Sequence, residues 1–248
     1  MDLGLRGRTA LVTGASAGIG AEIARVLAAE GCHLHLAARG KEKLDEIAER
    51  LRAEHGVEVH THRTDLRAGE DIERLAEVVG APDILVNNAG DVPGGNLATV
   101  DEEAWRHGWE LKVFGYINLS RKVYASMKRQ GRGVVVNVIG AAGERPDADY
   151  IAGSTGNAAL MAFTRALGSK SWRDGIRVVG INPGPVATDR ITKLIDTNAR
   201  FAEMAADFPF GRPAHTREIA DMAAFLASDR SGYTTGTIIT IDGGLSLI

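Results

Sequence analysis

Thr13-Gly14-Ala15-Ser16-Ala17-Gly18-Ile19-Gly20 stands between an apolar run, Thr9 to Val12, and a stretch of helical periodicity, Ala21 to Ala29. A glycine-rich turn between a strand and a helix lets the backbone approach a pyrophosphate closely. The free N–H groups and the positive dipole end of the helix then stabilise its charge. Outward from this turn, apolar runs of strand length recur at Thr9–Thr13, His33–Ala37, Val57–Thr61, Ile84–Asn87, Gly133–Val138, Arg177–Ile181 and Thr237–Ile241. Helical periodicity separates most of them; Leu44, Ile47, Ala48 and Leu51, for instance, mark one buried face, with Lys41, Glu42, Glu46 and Arg50 opposite. This alternation predicts an α/β architecture, a doubly wound seven-stranded parallel sheet with helices on both faces. Such sheets bind ligands at the carboxyl ends of their strands, where the strand order reverses.

The 248 residues, 44% hydrophobic and 25% charged, show no compositional break, so one domain over 1–248 is expected. A net charge of -3 leaves no electrostatic footprint for nucleic acid, and neither a charged leader nor a membrane-length apolar segment is read. The single cysteine, Cys32, cannot make an internal disulfide, which points to a reducing, cytoplasmic setting.

Three further motifs fall where predicted strands end: Asp65-Leu66, Asn87-Asn88-Ala89-Gly90, and Asn182-Pro183-Gly184-Pro185-Val186-Ala187-Thr188. Together with the Gly-x-x-x-Gly-x-Gly spacing of the first turn, Trp105, Gly211-Arg212-Pro213, Glu218-Ile219-Ala220 and Ile241-Asp242-Gly243-Gly244, they resemble the short-chain dehydrogenase/reductase family over nearly the whole chain. The resemblance implies a Rossmann-type fold and NAD(P)(H)-dependent chemistry on a small carbonyl/hydroxyl substrate. It also implies that Gly14, Ser16, Ala17, Gly18, Ile19 and Gly20 surround the pyrophosphate and that Asp65 and Leu66 meet the adenine. Asn87, Ala89 and Gly90 then line the adenosine side, and Pro183, Gly184, Val186 and Thr188 the nicotinamide end.

The choice of nicotinamide cofactor is read after the second strand, in Ala37-Ala38-Arg39-Gly40. A carboxylate there would accept hydrogen bonds from a ribose 2′-OH and repel a 2′-phosphate. None is present, and Arg39 offers a planar fork suited to phosphate, which favours NADP. NAD stays open, because Ala17 fills a place where NADP-preferring members of the family carry a base, and Arg39 could stack on adenine instead.

The family resemblance also implies an active site of asparagine, serine, tyrosine and lysine, in which the lysine lowers the tyrosine pKa towards neutrality. Ungapped alignment puts Lys112 at the asparagine, Gly140 at the serine, Gly153 at the tyrosine and Asn157 at the lysine. No serine or threonine lies between Gly131 and Gly153, and no lysine between Arg129 and Ser169, so a register slip cannot restore the set. A three-residue slip would recover only Tyr150 as the tyrosine, with Ser154 at the lysine.

Two readings follow. In one, the protein is an oxidoreductase in which Tyr150 handles the proton from one turn upstream and Lys112 supplies the cation from the opposite wall. Against that role, Lys112 could reach solvent or pair with Glu110, Asp149 or Glu144. In the other, the chain is a nucleotide-binding sensor or partner subunit without dehydrogenase chemistry. The region from about 188 to 212, with Arg190, Lys193, Arg200, Phe201, Phe208 and Phe210, reads as an irregular substrate lid or as an amphipathic helix pair. His33 and His35, and His60 and His62, alternate on neighbouring strands, but no metal is called for; His107 reads as structural. The resemblance further implies a homotetramer or homodimer, built on helices near Trp105–Tyr124 and Asn157–Leu167 and on the C-terminal strand.

Overall fold

The computed structural model describes residues 1–197 and 199–247, with the side chains of Ala199 and Arg200 also outside the description. Its strands are β1 (Thr9–Thr13), β2 (His33–Ala38), β3 (Val59–Arg63), β4 (Ile84–Asn87), β5 (Gly133–Val138), β6 (Ile176–Pro183) and β7 (Ile238–Ile241). They form one sheet in the order β3-β2-β1-β4-β5-β6-β7, every pairing parallel. The connecting helices are α1 (Gly18–Ala29), α2 (Lys41–His55), α3 (Gly69–Val79), α4 (Glu102–Trp109), α5 (Gly115–Gln130), α6 (Ile151–Ser171), α7 (Asp189–Thr197), α8 (Ala199–Ala206) and α9 (Thr216–Ala227). The winding reverses between β1 and β4, which opens a crevice at their carboxyl ends.

Strand alternation sorts the core into two layers. Ala10, Val12, Leu34, Leu36, Val134 and Val136 face α1, α2 and α9, where they meet Ile23, Leu27, Leu44, Leu51 and Ile219. Leu11, Leu85, Val135 and Val178 face the other way, onto Ile72, Leu75, Leu119 and Val123 of α3 and α5. Both sides of the sheet are therefore dry, as continuous apolar strands require.

The third strand begins two residues later than the expected Val57. Val57, Val59 and Thr61 share one parity, so alternation fixes their face but not where pairing starts; the Leu34↔Val59 register with β2 decides that. The region expected as an irregular lid is largely helical, as α7 and α8, because Ile191, Leu194 and Ile195 make an apolar stripe. Asn198 and the Arg200 side chain, which belong to that expectation, lie outside the described residues. Phe208 is buried, whereas Phe210 is exposed with φ 58°.

Candidate active site

The first turn is shaped by contact rather than by sequence signature alone. Gly14 has φ 65°, and a Cβ there would lie 2.8 Å from Ala89 Cα and 2.9 Å from Asn88 Nδ2. Gly18 has φ 55°, and its Cβ would lie 3.3 Å from Thr188 Cγ2. One glycine thus lets the turn abut the end of β4, and the other lets it meet the loop after β6. The Thr13 hydroxyl ties the same strands, accepting from Asn88 N at 3.0 Å and Ala89 N at 3.2 Å, while Asn88 Nδ2 donates to Thr13 O at 3.1 Å. Helix α1 starts at Gly18 with no side chain capping it, so its first N–H groups face the crevice as an anion-binding end. The N–H of Gly14 bonds Ala37 O at 2.8 Å, which draws the end of β2 alongside. Arg39 is exposed there, and its charge adds to the lowering of the Asp65 carboxyl. An uncapped helix start beside an exposed guanidinium fits a dinucleotide.

The other residues expected around the cofactor divide into those facing the crevice and those behind it. Asp65 is held by Arg67, at 2.9 Å from its Nε, and the guanidinium keeps the carboxyl below its usual range. Arg67 also contacts His107, which is exposed. Leu66 and Val186 are buried, and Thr188 lies at the start of α7, accepting from Thr192 N at 2.9 Å. Asn87, expected on the adenosine side, turns its side chain inward. It is wholly buried, donating to Ser120 Oγ at 3.0 Å and Asn137 Oδ1 at 2.8 Å, while Asn137 Nδ2 donates to Thr164 Oγ1 at 2.9 Å. This asparagine braces β4 against β5 and α5 from inside the core, and Asn137 extends the network to α6.

Lys112 sits in a single π-helical turn, Glu110–Phe114, between α4 and α5. Such a turn re-aims side chains and recurs at functional sites. The lysine is buried and does not reach solvent. Its stem packs on Gly90, where a Cβ would lie 3.1 Å from Lys112 Cδ, and its Nζ donates to Ile139 O at 2.6 Å and Asn157 Oδ1 at 2.8 Å. Burial pushes the ammonium down to about 7, with the Arg190 charge adding to the effect. The amine and amide that the family resemblance places at 157 and 112 have thus changed places and touch. Asn157 also fills the floor beneath Gly140, where a Cβ would lie 2.8 Å from Asn157 Nδ2.

Tyr150 occupies the space that a side chain at 153 would need. A Cβ on Gly153 would fall 2.0 Å from the Tyr150 ring at Cζ and 2.1 Å at Cε1. The tyrosine precedes α6 and is pinned by a parallel bridge to Gly95, with Ile151 N donating to Gly95 O at 3.2 Å. Ser154 accepts from Asp147 N at 3.0 Å and serves the loop, not the site.

The positive charge that acts on the Tyr150 phenol is that of Arg190, whereas Lys112 was the expected one. Burial raises the phenol pKa above its ordinary value, and the guanidinium works against that rise. Arg190 is further fixed by donating to Val92 O at 3.1 Å and by Asp91 at 3.8 Å. Its sequence signal was a base at the start of the lid; nothing local shows that it folds back to residue 150. A phenol beside a guanidinium, and an amine of near-neutral pKa on the floor, can hold and move a proton at the end of a dinucleotide crevice.

Residues 14–246 match the family described as enoyl-(acyl carrier protein) reductase. The chain is 34% identical over 250 residues to 3-oxoacyl-[acyl-carrier-protein] reductase FabG of Escherichia coli (strain K12), covering 99% of this chain and 100% of that one. It is 34% identical over 245 residues to galactitol 2-dehydrogenase (L-tagatose-forming) of Cereibacter sphaeroides, with 98% and 96% covered. Among solved structures, L-sorbose reductase from Gluconobacter frateurii complexed with NADPH and L-sorbose superposes with a TM-score of 0.93 at 32% identity, over 100% of both chains. Among the described residues, no helix is long and apolar enough to cross a membrane.

Proposed function

Because the chain belongs to the short-chain dehydrogenase/reductase family and is an NAD(P)(H)-dependent oxidoreductase of carbonyl/hydroxyl substrates, we propose that it uses NADP(H) and replaces the usual proton-handling residues with Tyr150, Arg190, Lys112 and Asn157. The observation that carries this reading is the Tyr150 ring lying over Gly153, in the space where the family resemblance puts its tyrosine. Gly14, Ser16, Ala17, Gly18, Ile19 and Gly20 would hold the pyrophosphate, Arg39 the 2′-phosphate, Asp65, Leu66, Ala89 and Gly90 the adenosine half, and Pro183, Gly184, Val186 and Thr188 the nicotinamide end. When bound, the nicotinamide supplies or accepts the hydride.

The protein supplies the rest. In the reducing direction Tyr150 gives its hydroxyl proton to the substrate oxygen, and Arg190 stabilises the phenolate left behind. Lys112, held near neutrality by burial, keeps a transferable proton on the floor beside Asn157. Gly140 removes the side chain that would crowd the substrate oxygen. Helices α7 and α8 form the substrate lid, since Arg190 joins the first of them to the loop after β4. A cytoplasmic setting is supported by the one buried thiol, Cys32. Assembly into a homotetramer or homodimer through α5 and α6 is supported by Phe114, in the turn before α5, and Ala158, on α6, standing exposed.

The test is consumption of NADPH and NADH with a panel of carbonyl compounds, alongside Tyr150→Phe. We expect NADPH to be preferred, and the phenylalanine variant to lose about 100-fold or more in kcat while binding NADPH normally. Tight NADPH binding without turnover on any carbonyl would instead favour a nucleotide-holding protein.

A further inference from the structure

Three histidines of the two outer strands stack on one another, away from the crevice. β3 is the edge strand, and its register with β2 sets His35 opposite His60 and Ala37 opposite His62. His35 lies opposite Leu11 in turn, so strand parity puts all three rings on the sheet face that α3 and α5 cover further in. The His35 ring is stacked 5.1 Å from the rings of both His60 and His62, and its Nδ1 stands 2.9 Å from His62 Nε2. Whichever ring carries the hydrogen of that contact, the other must accept it. With one added proton a donor still meets an acceptor. With two, N–H faces N–H and like charges meet, so the contact breaks.

The surroundings do little to offset such charge. Both rings are half-buried, and burial above all holds them below the ordinary 6.5, His35 at about 4. The charges acting on them share one sign: His62 and His60 on His35, and His60 and Lys41 on His62. Glu58 approaches only His60, at 4.0 Å, while Asp45 is taken by Lys41 and Thr61, and Asp71 of α3 by Arg74 and Asp65 N. His33 accepts from Glu58 N at 3.1 Å, and Arg63 has the opposite parity. On that opposite face Lys41, Asp45 and Arg52 fasten β3 to α2 through Thr61 and Val59 O. Acid therefore works on one face of a short edge strand in which Val59 alone is buried. The strand leads into one wall of the crevice. Thr64 N donates to Ala38 O at 3.0 Å, and Asp65 and Arg39 follow these two residues.

We propose that the His35–His62 contact is a proton-operated clasp: acidification opens it, loosens β3 from β2, and so loosens the wall that holds the adenosine half of the dinucleotide. The consequence for the cofactor rests on the reading of Arg39, Asp65 and Leu66 as its adenosine contacts. Rings held neutral in the closed strand stabilise it fully above about pH 6.5, and this is lost as pH falls towards about 4. A His35 ring that titrates at about 4 when closed and at 6.5 when open favours opening by about 30-fold more at pH 5 than at pH 7.5. NADP needs the closed wall and so opposes the opening.

The experiment is amide hydrogen exchange of β3 at about pH 7.5 and pH 5, read as protection factors so that the intrinsic pH dependence drops out. It is run on the free protein and with NADP at about 100 times its Kd at each pH, beside an imidazole titration by NMR. We expect the protection of the β3 amides bonded to β2 to fall about 30-fold at the lower pH, and NADP to raise it about 100-fold at either. His35→Gln keeps a group that accepts from a charged His62 and should cut the fall to less than about threefold. His62→Gln, which serves if that variant does not fold, should reduce the fall as well. Equal protection at both pH values, a fall that neither variant reduces, or titration of both rings near the ordinary value overturns the clasp. Protection that NADP binding leaves unchanged overturns its link to the cofactor. If calorimetry finds no NADP binding at all, the cofactor reading fails, whereas the fall in the free protein still decides the clasp.

Discussion

Gly153→Ala separates the catalytic geometry from the stability of the fold. The added methyl would meet the Tyr150 ring at 2.0 Å, and ordinary contact begins at 3.4 Å, so the ring must retreat by about 1.4 Å. The atoms in the way, Cζ, Cε1 and Cε2, are the far end of a side chain that can swing, so the backbone of α6 need not move. Alanine inside a helix is favoured over glycine by about 1 kcal/mol, which offsets part of the phenol packing that is lost. The melting temperature should therefore stay within a few degrees of wild type. Activity should not, because a misplacement of about 1 Å at a reacting group costs on the order of 100-fold. Steady-state NADPH consumption would show kcat/KM reduced by about that factor, with NADPH affinity unchanged. In a Tyr150→Phe background the same alanine should add little, since the hydroxyl it displaces is already gone. Near-wild-type kcat/KM for Gly153→Ala would refute the assignment of the phenol, and an equal further loss in the Tyr150→Phe background would show that the methyl acts by some other route.

Arg39→Ala should weaken NADPH binding by about 10-fold to 100-fold, the range for a hydrogen-bonded charge, and leave NADH binding within about twofold; fluorescence titration with both nucleotides reads this directly. Lys112→Asn and Asn157→Lys should each lower kcat by at least about 10-fold, and the double variant should recover most of it, because the amine and amide touch in either arrangement. The ammonium of Lys112 is held near 7 against an ordinary 10.5, so between those values the unfolded chain binds the extra proton and stability rises with pH. Relative to Lys112→Met, the wild type should gain up to about 1.4 kcal/mol per pH unit above about pH 7 and nothing further below it. Urea unfolding of both proteins at about pH 6 and pH 9 checks the sign, and a pH-independent difference would mean that Lys112 titrates normally.

The cofactor half was legible because its signals are local. The turn from Gly14 to Gly20, the motif from Asn87 to Gly90 and the loop from Pro183 to Thr188 each sit at a strand end within a few residues, and backbone shape does most of their work. Even there, the motif does not tell which way each side chain turns. Asn87 belongs to a motif that lines the crevice, yet strand parity turns its side chain into the core, where it meets Asn137, 50 residues away in sequence. Which of two adjacent asparagines faces a ligand depends on the packing of a third element, and a motif cannot carry that.

From residue order alone came the alternation of strand and helix, the glycine turn, the base after the second strand, and the vacancy at 140, 153 and 157. These follow from the period of apolar residues and from the sterics of glycine, which act within a few bonds. Tertiary structure alone decided how the vacancy is filled. It brought Lys112 onto Asn157 across 45 positions and Arg190 onto Val92 across 98, and it laid the Tyr150 ring over Gly153. Side-chain reach is only a few ångströms, so partners this distant along the chain are chosen by the sheet that draws their elements together.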